Sequence, residues 1–121
     1  NFDIVYTEGP EHATLLTKEG IKNGYETFVA VGGDGTVNEI AKAIIGTEYN
    51  LGIIPHGSGN GLARHNHIPL NTARAIRMLN NADVKRIDTC RLNNHPFINV
   101  SGVGFDAHIG KLFAESRCRG F

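Results

Sequence analysis

Apolar and polar positions alternate along this chain in two rhythms that change at glycine-rich points. The run Phe2-Asp3-Ile4-Val5-Tyr6-Thr7 is rich in β-formers and predicts a strand over 2–7. A polar Glu8-Gly9-Pro10 turn follows, then a helix over 11–22 ended by Asn23-Gly24. Thr27 to Val31 predicts the next strand. After glycines at 32, 33 and 35, a helical period over 36–45 sets Val37, Ile40, Ala41 and Ile44 on one face, with Gly46 as its stop. The short apolar run 51–54 suits a parallel strand buried on both faces. A second glycine-rich loop, 55–61, leads into a short helix over 62–66. Asn71 is placed to cap a helix reaching Asn80, with Ala75, Ile76 and Leu79 inward. Val84 to Arg91 and Pro96 to Val103 predict two strands joined by Asn93-Asn94, and 107–116 returns to helix.

Strands alternating with helices as far as Pro55 predict an α/β sandwich with a mainly parallel sheet. The strand pair after Val84 predicts the start of a different, β-rich architecture, so a boundary is expected near residue 84, dividing 1–83 from 84–121. The chain's 121 residues suffice for one core, folding of such a length burying about two-thirds of the unfolded surface. The opening inside an apolar run, and the tail Arg117-Cys118-Arg119-Gly120-Phe121 with no closing element, predict a sequence cut short at both ends.

Composition then narrows the function. Lys plus Arg equal Asp plus Glu, 12 against 12, so no overall field draws the domain to nucleic acid or anionic lipid, any such contact would be local, and no nucleic-acid partner is expected. Cys90 and Cys118 have no CxxC spacing, which argues against a thiolate metal site or a disulfide framework and for a reducing, cytoplasmic setting. The apolar runs 28–31 and 51–55 fall far below the roughly 20 residues that cross a bilayer, so no transmembrane segment is expected.

The chemistry concentrates in Val31-Gly32-Gly33-Asp34-Gly35-Thr36-Val37-Asn38-Glu39. A strand running through three glycines into a helix exposes backbone amides at the positive end of the helix dipole, a geometry that accepts phosphate. The segment lacks the Lys of a Walker loop. Asp34 would repel bare phosphate, and it makes sense where a divalent cation or a substrate hydroxyl lies between the two. Thr36 offers a hydroxyl, as a cap or as a phosphate donor. As a bare glycine cluster the segment could equally be a tight connection; Asp34 and Thr36 within it tilt the reading toward function.

Gly32-Gly33-Asp34-Gly35-Thr36 with Asn38-Glu39 resembles the signature of the diacylglycerol kinase catalytic domain, shared with sphingosine kinases and bacterial lipid kinases; the same five-residue core occurs in NAD kinases. Two further stretches resemble the lipid kinases in the same order: Pro55-His56-Gly57-Ser58-Gly59-Asn60-Gly61-Leu62-Ala63-Arg64 and Phe97-Ile98-Asn99-Val100-Ser101-Gly102-Val103-Gly104-Phe105-Asp106-Ala107. Together they span most of residues 7 to 120. The resemblance implies an ATP site lined by Thr7, Gly32, Gly33, Asp34, Gly35, Thr36, Val37, Asn38 and Ser58. It implies a three-layer α/β domain followed by a β-sandwich that this chain only begins, with nucleotide in the cleft between them. The activity implied is transfer of the γ-phosphoryl of ATP, with Mg²⁺, to a lipid hydroxyl such as that of diacylglycerol, by a protein peripheral to the membrane; a homodimer is compatible with it. The family's catalytic base, an Asp or Glu, would lie beyond Phe121, leaving the fragment itself without turnover. Many bacterial members carry Asp directly after the Asn of the second loop, where it joins two other Asp residues in a water-linked Mg²⁺ network. Those two match Asp34 and Asp88, while this chain has Gly61 in the first position.

Other readings carry less. His56, His65 and His67 have no carboxylate or thiol at ligand spacing, and a helix through 65 and 67 would turn them apart. Gly57-Ser58-Gly59 has His56 and Asn60 where a nucleophile elbow needs glycines. Arg74, Arg77, Lys85 and Arg86 read as a solvated face ahead of a membrane-docking patch. His12-Ala13 reads as helix packing, and Asp106 as a helix cap ahead of a cleft residue. NAD kinase is the rival enzyme, but its separate Asn-Glu pair well downstream has no counterpart after Glu39. A nucleotide-binding module without catalysis is the rival from another class, suggested by Gly61.

Overall fold

The computed structural model describes residues 2–99 and 104–115. Its elements in chain order are α1 (His12–Lys22), β1 (Thr27–Gly32), α2 (Asp34–Ile44), β2 (Asn50–Pro55), α3 (Gly61–His65), α4 (Thr72–Leu79), β3 (Cys90–Leu92), β4 (His95–Phe97) and α5 (Phe105–Glu115). β1 and β2 pair in parallel from Thr27↔Asn50 to Gly32↔Pro55. Because partners in register share a face, Ala30 and Ile53 look to one side of the pair and Val29 and Gly52 to the other.

Each side receives helices. On the first, Ala30 and Ile53 join Ala13 of α1, Val37, Ile40 and Ile44 of α2, and Leu62 and Ala63 of α3 in one buried cluster. The apolar face read for α2 is therefore the face that packs. On the other side, α4 lies so close that a Cβ at Gly52 would sit 3.0 Å from Leu79 Cδ2 and 3.1 Å from Val29 Cγ2. Helix, sheet and helix make three layers, as the resemblance implies, around the parallel pairing that the alternating pattern predicts. Of the inward set expected for α4, Ala75 is fully buried and Leu79 half-buried, but Ile76 is 45% exposed. Asn71 caps that helix as expected, its Oδ1 accepting from the Arg74 amide at 3.1 Å.

Three expectations need correction. Residues 2–7 form no strand and are exposed, Phe2 at 80% and Tyr6 at 83%. β-propensity makes a strand only where a ladder partner exists, and among the described residues β1 pairs with β2 alone. The segment is instead tied down at points: Tyr25 Oη donates to Asp3 Oδ2, a bond that pushes the Tyr25 pKa up, and the Glu8 amide donates to His12 Nδ1 at 2.9 Å. The hairpin at Asn93-Asn94 forms, with Asn93 at φ 52, yet its strands shrink to three residues each. Pro96 sits in the middle of β4 and has no N–H for the ladder, and the stretch before Cys90 is exposed and unpaired among the described residues. α2 begins at Asp34, two residues before the predicted start, since Gly33 is extended (φ −95, ψ −172) and an acidic side chain suits the first turn.

The hairpin is antiparallel and separate from the parallel pair. No helix among the described residues is long and apolar enough to cross a membrane. Cys118, the strand positions 100–103 and the Asp106 side chain lie outside the described residues.

Candidate functional site

The two glycine loops leave the carboxyl ends of adjacent parallel strands, where open α/β sheets place their ligands. Pairing runs past the strands themselves: the His56 amide donates to Gly32 O at 2.8 Å. This zips the loops together until Gly33 and Gly57 meet backbone to backbone. A Cβ on Gly57 would fall 2.5 Å from Gly33 Cα and 3.2 Å from Gly33 N, and one on Gly33 would fall 3.2 Å from Gly57 Cα. Glycine at both positions follows from space, since neither has positive φ.

Asn60 closes the second loop. It is buried and takes a left-handed conformation (φ 53, ψ 42), which Asn tolerates better than most residues. Its Oδ1 accepts from the Gly57 amide at 2.9 Å and its Nδ2 donates to Gly57 O at 2.6 Å, so one side chain satisfies both polar groups of the residue that touches Gly33. Arg64 Nε adds a bond to Gly59 O at 2.9 Å.

On the first loop, the amides of Asp34, Gly35 and Thr36 precede the first bond inside α2, Val37 N to Gly33 O, and no side chain caps that end. These donors at the positive end of an eleven-residue helix form a cradle suited to an anion. The Asp34 carboxylate stands beside it: Oδ1 accepts from the Leu62 amide at 3.3 Å, and Oδ2 lies 2.9 Å from where a Cβ on Gly59 would be. Asp34 thus links the first loop to α3. Thr36 Oγ1 folds back to within 2.8 Å of the point where Gly32 would carry a Cβ.

A cavity of about 300 Å³ opens next to this junction. Asp34, Gly35 and Asn38 give it a polar side, while Leu62, Phe97 and Ile98 give it an apolar one. Val37 contributes from the core, and Asn99 enters from the segment after β4. A larger hollow of about 500 Å³, lined by Glu26, Thr47, Glu48 and Tyr49, lies at the opposite end of the strands and holds neither loop.

Of the residues singled out by sequence, 32–38 form one continuous strand–loop–helix unit, and Ser58 is exposed on the adjoining loop beside Gly57. Thr7 and Asp88 lie in exposed stretches without regular structure, and neither lines the cavity. No three His, Cys, Asp or Glu side chains gather into a metal cage among the described residues. α3 ends at His65 and His67 lies beyond it at φ 56, so a single helix does not carry both histidines. Ala13 is buried in the core, in keeping with the packing reading of His12-Ala13. Arg86 pairs with the exposed Glu48 at 2.8 Å.

Three contributors had no role assigned from sequence. Asn60 carried a signal, Asn in a glycine-rich turn. Glu39 and Asn99 lie within stretches that carry the resemblance, but what each does was hidden because their partners are far along the chain: Glu39 Oε2 accepts from the Ala13 amide at 3.1 Å and its carbonyl accepts from Thr14 Oγ1 at 2.8 Å, fixing α1 on α2.

Comparison with known proteins identifies the family and the fold. A sequence model of the diacylglycerol kinase catalytic domain matches residues 1–92. A diacylglycerol kinase of Staphylococcus haemolyticus is 34% identical over 100 residues, 81% of this chain and 30% of that protein. An Alcanivorax borkumensis protein named "Probable lipid kinase YegS-like" is 35% identical over 106 residues, 85% of this chain and 35% of its own. The crystal structure of a diacylglycerol kinase from Bacillus anthracis superposes with a TM-score of 0.70 at 27% identity, covering 87% of this chain and 38% of that one. The chain therefore spans about a third of the length of the relatives it matches. With a family match over residues 1–92 and a fold shared with a solved member, the chain belongs to the diacylglycerol kinase catalytic domain family of lipid kinases.

Proposed function

We propose that this chain is the nucleotide-binding part of an ATP-dependent lipid kinase, one that transfers the γ-phosphoryl group to a lipid hydroxyl such as that of diacylglycerol. The observation that carries the reading is the backbone contact of Gly33 with Gly57 beside Asp34, because it sets uncapped amides and one carboxylate at the ends of two adjacent parallel strands.

On this reading the amides of residues 34–36 hold phosphate oxygens, and catalysis comes from positioning and charge neutralisation, as phosphoryl transfer generally requires. Asn38 and Ser58 orient the nucleotide, and Thr7 is a further nucleotide contact on the strength of the family resemblance alone. The donor set fits Mg²⁺ that arrives with the nucleotide: Asp34 gives one carboxylate, and such ions are commonly held by one or two carboxylates together with phosphates and waters. When bound, the ion offsets charge on the transferring group. Asp88 lies in an exposed stretch outside the cavity lining, so its contribution to such an ion would run through water. Residues 84–121 would begin the β-sandwich domain, which would supply the base and the lipid site at a membrane surface.

The test is phosphate transfer by the full-length protein from Mg·ATP to a panel of lipids and to NAD, with Asp34→Asn alongside. Transfer to a lipid is expected, with loss of turnover by at least about a hundredfold in the variant. The variant's melting temperature should stay close to wild type, because an Asn oxygen can still accept from the Leu62 amide. Undiminished turnover in the variant refutes the role of Asp34, and transfer to NAD alone hands the assignment to the rival enzyme.

A further inference from the structure

We propose that Asn99 supplies a neutral side chain in the space beside Asp34, and that Gly61 is the seat which admits its carboxamide to the site. Gly61 opens α3 without positive φ, so its backbone does not call for glycine. Space does. A Cβ at 61 would lie 2.5 Å from Asn99 Nδ2, 3.7 Å from Asn99 Cγ and 3.6 Å from Asp34 Oδ1. The volume that any side chain at 61 would claim is filled by a carboxamide from a residue that follows β4, and that carboxamide lies along the wall of the cavity lined by Asp34, Leu62 and Phe97.

Two consequences follow from chemistry. Asp34 has a neutral group as its neighbour in the place where a side chain at 61 would otherwise project. A second carboxylate there would set two like charges close together, an arrangement that demands protonation or a bound cation. With a carboxamide instead, the site carries a single carboxylate among the described residues and needs no resident cation to stay folded. Resting on the kinase reading above, Mg²⁺ then enters with the nucleotide. The seat also ties α3 to the segment after the hairpin, so Asn99 couples the α/β layers to the β-rich part that follows.

A double-mutant cycle on the full-length protein tests this, with Gly61→Ala, Asn99→Ala and their combination. Melting is followed without nucleotide, with EDTA or with Mg²⁺, and Asn99→Asp is added as a charge probe. Gly61→Ala alone should lower the melting temperature by about 2 to 6 °C, and in the Asn99→Ala background by about 1 °C or less. If Gly61→Ala yields no folded protein, recovery of folded protein in the double variant counts as the same rescue. Wild-type melting should ignore Mg²⁺, whereas Asn99→Asp should become Mg²⁺-stabilised and should reach half-maximal turnover at several-fold lower Mg²⁺. An additive cycle, or wild-type melting that rises with Mg²⁺ alone, overturns the proposal. The melting cycle needs no substrate, so absence of lipid phosphorylation would count against the kinase reading and leave the seat to be judged on its own.

Discussion

Gly35 offers the sharpest separation of structure from function in this chain. It stands second in α2, is exposed, and a Cβ there would meet nothing within 4 Å. Its φ is not positive, so neither packing nor backbone conformation asks for glycine. Glycine within a helix costs about 0.5–1 kcal/mol against alanine. Gly35→Ala should therefore stabilise the ligand-free protein, raising its melting temperature by about 1 to 3 °C. If the amides of residues 34–36 receive phosphate, the same methyl group stands between donor and anion. Loss of one hydrogen bond to a charged group is worth about 1.5–3 kcal/mol, which at 1.4 kcal/mol per decade is an ATP affinity about 10- to 150-fold weaker. Differential scanning calorimetry and isothermal titration of the full-length variant with Mg·ATP read the two effects separately. A more stable protein with wild-type ATP affinity would refute the amide cradle, because the glycine would then have neither a structural nor a ligand-related reason.

Three other perturbations probe the frame around the cradle. Gly57→Ala forces backbone against backbone at 2.5 Å, whereas Gly33→Ala creates a 3.2 Å contact; thermal denaturation should show the first costing about 2–3 kcal/mol and the second roughly half as much. Asn60→Ala removes both bonds to Gly57 and leaves a left-handed alanine, so urea unfolding should show a loss of about 2–4 kcal/mol, with Asn60→Gly losing less because the strain is relieved. Glu39→Ala withdraws the acceptor from the Ala13 amide in the first turn of α1. It should cost about 1 kcal/mol by the same measurement, with Glu39→Gln keeping much of it.

What the sequence disclosed and what it withheld divide along physical lines. Elements that carry their own reason were legible: α2 from its apolar face, β1 and β2 from short apolar runs bounded by turn formers, α4 from the cap at Asn71, and the hairpin from Asn93-Asn94. The loop 32–36 was legible because glycines, a carboxylate and a helix start lie side by side. Elements that depend on a partner were misjudged. Residues 2–7 and the stretch before Cys90 have the composition of strands, but a strand is made by its neighbour, and composition cannot report whether a neighbour is present. Contacts remote in sequence were hidden for the same reason, which is why Glu39 against Ala13 and Asn99 over Gly61 emerge only in three dimensions.

The glycines show how far spacing alone can be pushed. In the sequence, those at 33, 35, 57 and 61 look alike, members of two clusters that any phosphate-binding reading would absorb together. In the fold they have three different causes. Gly33 and Gly57 are small because two loops cross there, and they would be needed with no ligand at all. Gly61 is small because a carboxamide occupies its space. Of these four, Gly35 is the one with open space around it, so it is the one that demands an explanation from outside the chain. A phosphate cradle predicts that substitutions at 33 and 57 damage folding first and binding as a result, while substitution at 35 damages binding and spares folding. A glycine cluster kept for packing alone would put all of its sensitivity into stability, and Gly35 would then tolerate alanine in both measurements.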